Sequence, residues 1–68
     1  MRREWDTIIE RWTQYIQAGP EDGRAYMERG GAHHHKGDRQ AALQDLARAC
    51  ELGTSEACGW VERLGGSR

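Results

Sequence analysis

The chain repeats itself at an interval of 34 residues, and that period constrains its fold more than any single motif. Displaced by this interval, Tyr26-Met27-Glu28-Arg29 falls on Trp60-Val61-Glu62-Arg63. Ile8-Ile9 falls on Ala42-Leu43, Trp12 on Leu46, Ile16 on Cys50, and Ala18-Gly19 on Leu52-Gly53. The most complete unit runs from Ala25 to Leu52, with a turn marked at Gly37-Asp38, and the flanks read as fragments of the same unit. A unit that cannot cover its own apolar face has to stack on its neighbours.

The local signals are helical throughout. Trp5, Ile8, Ile9, Trp12, Tyr15 and Ile16 recur three and four residues apart, which predicts an amphipathic helix with a core-facing aromatic stripe. Gly19-Pro20 stops it, because proline cannot continue a helix. Asp22 suits the N-cap of a second helix, whose core line is Tyr26, Gly30 and His33. Gly30 and Gly31 each weaken an isolated helix by about 1 kcal/mol relative to alanine, so both are expected where a neighbouring helix comes close. Gly37 supplies a left-handed C-terminal residue and Asp38 caps the third helix. Ala42, Leu43, Leu46, Ala49 and Cys50 form its inner line, and Gly53 ends it. Thr54 or Ser55 caps a fourth helix carrying Ala57, Trp60, Val61 and Leu64, closed by Gly65-Gly66. No strand pattern appears.

The period and these motifs resemble the tetratricopeptide repeat family, whose pattern is W-x2-L-G-x2-Y, then A-x3-F, then P. Tyr26, Arg29, Gly30 and His33 fall on its first part, Ala42 and Leu46 on A-x3-F, and Thr54 on the proline place. Upstream, Ile8, Trp12 and Pro20 match the second half of a preceding unit. The departures are Arg29 for leucine, His33 for tyrosine and Thr54 for proline. Arg29-Gly30 with Asp45 is similar to a frequent Arg-Gly variant of the repeat. The resemblance implies an all-α fold of antiparallel helical hairpins stacked as a short array of about four helices. It is a single domain over 1–68: a half repeat at about 5–19, a full repeat at about 22–53 and a closing helix at about 55–64. It further implies an ion pair between Arg29 and Asp45 across the hairpin.

The run from Ala49 to Cys58 also resembles the cysteine-bearing Sel-like repeats of exported bacterial proteins, which implies a Cys50–Cys58 disulfide. Read from the residues alone, two reduced, buried thiols remain the alternative. The spacing is not a CxxC redox motif, and a lone pair lacks the further ligands a zinc site needs. If the disulfide forms, an extracytoplasmic compartment is expected; otherwise the cytoplasm.

Composition removes several function classes. With 31% charged residues and a formal net charge of -1, nothing draws the chain to nucleic acid or an anionic membrane. No apolar run approaches the roughly 18 residues of a membrane span. His33, His34 and His35 project about 100° apart on a helix and do not converge on one metal. No nucleophile–base pair or cofactor signature stands out, so neither an enzyme nor a cofactor protein is expected.

The resemblance therefore implies a non-catalytic scaffold that presents a concave helical surface to a protein or peptide segment. By family position that surface comprises Arg24, Met27, Gly31, His34 and His35, extended by Cys58, Val61 and Glu62. Family members that clamp a C-terminal carboxylate carry lysine and asparagine where Met27 and Gly31 stand, so no such clamp is expected. A mixed apolar and acidic segment fits, held more tightly in mild acid where imidazole gains charge. The rival expectation is a structural or self-associating terminal segment of a longer repeat protein. An incomplete array leaves apolar faces at its ends.

Overall fold

Short-range chemistry sets the helix ends. The computed structural model describes residues 2–66, with side chains from 4 to 65. Helix α1 spans Arg2–Gln17, α2 Gly23–Lys36, α3 Arg39–Glu51 and α4 Ser55–Val61. A π-helical turn, Glu62–Gly66, continues α4, so the closing helix expected to 64 is regular only to Val61. Asp22 accepts from the Arg24 backbone N–H at 3.0 Å, and Tyr15 Oη donates to its other carboxylate oxygen at 3.0 Å. One aspartate thus caps α2 and closes the α1–α2 corner. At the next turn Gly37 is left-handed, with φ 98°, and Asp38 N–H reaches His33 O at 2.9 Å. Asp38 then caps α3 by accepting from Ala41 N–H at 3.2 Å. Thr54 holds the N-cap place of α4, but its side chain makes no cap bond.

Successive helices pack antiparallel. Gly23 lies against Ala49 and Leu52, while Gly30 lies against Ala42, Asp45 and Leu46, so α2 and α3 run in opposite directions. Cys50 meets Cys58, and Gly65 meets Leu43, which sets α4 antiparallel to α3 and hence parallel to α2. Trp5 stacks on His35 and Tyr15 reaches Asp22, so α1 is antiparallel to α2. The result is an all-α fold of four helices packed in sequence.

Its extents are 30 × 28 × 14 Å. The smallest is the Cα thickness of two packed helix layers, about 13–15 Å from an interaxial distance of about 8–10 Å and a Cα radius of about 2.3 Å on each side. Two layers share one interface and have no third layer to enclose a deeper core, and the buried apolar residues are small. Ala25, Ala32, Ala42, Ala49 and Ala57 are buried with Leu46, and among the described residues no large side chain is fully enclosed. This corrects the expectation of a core-facing aromatic stripe on α1. No described side chain of α1 is fully buried: Trp5 and Trp12 are half-covered, and Ile8 and Tyr15 are 37% and 42% exposed.

The two adjacent glycines of α2 also separate. A Cβ at Gly30 would stand 3.0 Å from Leu46 Cγ and 3.2 Å from Ala42 O, whereas a Cβ at Gly31 would meet nothing within 4 Å. Only Gly30 is required by close helix approach. Gly31→Ala is therefore expected to stabilise the protein by about 0.5–1 kcal/mol through helix propensity alone. Gly30→Val is expected to destabilise it by about 2 kcal/mol through overpacking. Paired urea denaturation curves check both; equal shifts of the same sign would show that Gly30 makes no close contact.

Candidate functional site

Because α2 and α4 run parallel on the same side of α3, a groove opens between them. It encloses about 570 Å³ of space open to solvent. Met27, Gly31, His34 and His35 line its α2 side at successive spacings of four, three and one, one face of a helix. Glu56, Trp60 and Leu64 line the α4 side at a spacing of four, and Leu46 of α3 contributes to the lining. Gly31 leaves its stretch of the α2 wall without a side chain, which deepens the groove. Trp60, 39% exposed, is the largest side chain lining the groove, and its ring lies 6.3 Å from that of His34.

Of the surface residues expected from family position, Met27, Gly31, His34 and His35 come together here. Arg24 does not line the groove; it is exposed and pairs with Glu28 at 3.5 Å. Val61 is half-buried against the small-residue core, and Glu62 is exposed outside the groove. Cys58 is tied to Cys50 across the α3–α4 corner, with Cα atoms 4.8 Å apart. Sequence reasoning missed Glu28, Leu46, Glu56, Trp60 and Leu64. The signal was present in the spacing 56, 60, 64, but its direction depends on the rotation of α4 about its axis.

The three consecutive histidines diverge, as adjacent helical positions must. His33 Nε2 lies 3.7 Å from Asp45 Oδ2, and its Nδ1 is buried without a protein partner. His34 faces Trp60, and His35 stacks on Trp5 with centroids 4.6 Å apart and planes 7° from parallel. Among the described residues no three potential ligands gather into a metal site.

Outside the groove lining, Arg29 and Asp45 hold the α2–α3 hairpin together. Arg29 Nε donates to Asp45 Oδ2 at 2.7 Å and Nη2 to Oδ1 at 2.8 Å, a bidentate pair. Nη1 donates to Thr13 Oγ1 at 3.1 Å, and the Thr13 hydroxyl donates in turn to Ile9 O at 2.7 Å. The bonds to Asp45 raise the Arg29 pKa above its ordinary value, against the opposing effect of burial. Three helices are linked through this one guanidinium, which makes it a structural group rather than a ligand-facing one.

Two further surfaces are present, one of them continuous with the groove. Arg39 and Arg63 line a shallow cleft with Gly37, and it shares His34 and Leu64 with the main groove. On the opposite flank, Ile8, Arg11, Trp12 and Tyr15 form an exposed apolar patch along α1. No protein-family model, curated protein or solved structure matches the chain.

Proposed function

We propose that the chain is a non-catalytic protein-interaction module of tetratricopeptide type, which holds a peptide or protein segment between α2 and α4. The observation that carries this reading is the groove itself. Met27, Gly31 and Trp60 place a flexible thioether, a bare stretch of backbone and a half-exposed indole along one channel. Methionine adapts to varied partners, and tryptophan is the side chain most enriched among residues that dominate binding. The histidines fit this role better than chemistry, since their rings are taken up by stacking and by the neighbourhood of Asp45. The 34-residue self-similarity and the antiparallel hairpins agree with the family pattern.

A peptide-display selection on the intact protein, followed by NMR titration of the selected peptides, tests the reading. Expected are shifts at Met27, Gly31, His34 and Trp60 with micromolar dissociation constants, as befits a shallow channel. Trp60→Ala is expected to weaken binding about tenfold, corresponding to about 1.4 kcal/mol. Shifts confined to Ile8, Trp12 and Tyr15 would remove the groove from consideration.

The α1 patch favours a second reading, in which the segment packs against another helix or a second copy through Ile8, Trp12 and Tyr15. Light scattering over a concentration series distinguishes it. A mass that rises with concentration and returns to one chain on Ile8→Asp would support this alternative.

A further inference from the structure

The groove is electrically polarised along its axis, and we infer that its ligand is a short peptide segment carrying a basic residue at one end and an acidic residue at the other, with apolar side chains between. This inference rests on the groove being the binding site. Since α2 and α4 run parallel, their early residues share one end of the channel and their late residues the other. Glu28 and Glu56 stand at the early end. Met27 stands beside Glu28 at that end, the middle is Gly31 and Trp60, and at the late end His34 and Leu64 lead into the cleft bearing Arg39 and Arg63.

The charges at both ends are disposed toward solvent and a ligand rather than buried. Glu28 is exposed and pairs with Arg24 on its own helix at a long 3.5 Å, a contact worth little in water. Arg63 lies 5.3 Å over the Trp60 ring, its cationic plane extending the aromatic wall. Arg39 spends one guanidinium nitrogen on the Leu64 carbonyl, which fixes its place at the cleft. An acidic side chain at this end meets two guanidinium groups, and at the other end it meets two carboxylates. Like charges there would repel, so the same arrangement that attracts one end of the ligand rejects its reversal.

The length follows from helix geometry. From Glu28 to His35 the α2 wall rises about 10 Å, and an extended peptide covers that in about three to four residues. The ligand charges therefore sit about four positions apart, as in Lys-Leu-Ala-Leu-Glu.

The test uses three synthetic peptides with acetylated and amidated ends and the same Leu-Ala-Leu centre. One carries lysine and glutamate at its two ends, one glutamate at both and one lysine at both. Each is titrated by NMR into the intact, disulfide-bonded protein at low ionic strength. The mixed-charge peptide is expected to bind about fivefold or more tightly than either other, with the preference shrinking at high salt as charges are screened. A spin label at its glutamate end is expected to broaden Arg63 and His34 rather than Glu56. The double variant Glu28→Lys, Glu56→Lys is expected to turn the preference toward the doubly acidic peptide; thermal melts confirm that it folds. Equal binding of all three, with shifts in the groove, would overturn the charge pattern and leave the groove reading standing. No groove shifts with any of them would overturn both.

Discussion

Asp45→Ala is expected to destabilise the protein by about 3 kcal/mol, the cost of stranding one member of a buried ion pair. Asp45 is 7% exposed and receives both forks of the Arg29 guanidinium. Without it, Arg29 retains only Thr13 among its hydrogen-bond partners, beside the α2–α3 contact at Gly30. Native domains have only about 0.05–0.15 kcal/mol of stability per residue, so a loss of this size removes between about a third and nearly all of the stability of a 68-residue chain. Urea denaturation at neutral pH measures the loss. A double-mutant cycle with Arg29→Ala is expected to show coupling well above additivity. Replacing the pair together, with Arg29→Met and Asp45→Leu, is expected to cost less than Asp45→Ala alone, because no unpaired charge remains. Additive single effects would show that the two residues do not act as a unit.

Removing the Cys50–Cys58 disulfide is expected to cost about 2.5 kcal/mol on the chain-entropy account of so short a loop. Helix α4 depends on it more than its length suggests. Only Ala57 of that helix is fully buried; Val61 and Leu64 are partly covered, and Arg39 bonds the Leu64 carbonyl. Because Trp60 is one wall of the groove, loosening α4 also dismantles the proposed binding surface. Reduction with a dithiol, or Cys50→Ala with Cys58→Ala, is expected to lower the urea midpoint and weaken peptide binding together. Intact mass after alkylation without reductant checks that the bond is present. Two alkylated thiols in oxidised material, or unchanged midpoints on reduction, would count decisively against it.

Both effects concern how helices are held to one another, and here sequence and structure divide. The ion pair was legible because a charge on an otherwise apolar helical line needs a partner, and the family variant supplied Asp45. The Cys50–Cys58 pair was legible as a resemblance, with reduced thiols as the alternative. The groove was half legible: the α2 residues Met27, Gly31, His34 and His35 follow from one helical face, but Trp60 was missed for Val61. A rotation of α4 by one residue exchanges those two side chains, and nothing local sets that rotation.

The sequence by itself determined the four helices and most of their ends. Asp22, Gly37, Asp38 and Gly53 act on backbone groups within about five residues, and such contacts are made whatever the helices later pack against. Only the tertiary structure decided which faces those helices turn inward. A stack of helices two layers thick leaves the tryptophans of α1 half-covered and, among the described residues, fully buries only alanines, glycines, Asp45 and one leucine. It also assigns close approach to Gly30 and open space to Gly31, which share a residue type, a helix and a neighbourhood in sequence. Their difference is one of direction around the helix axis, about 100°, and direction acquires meaning only when a second helix lies on one side.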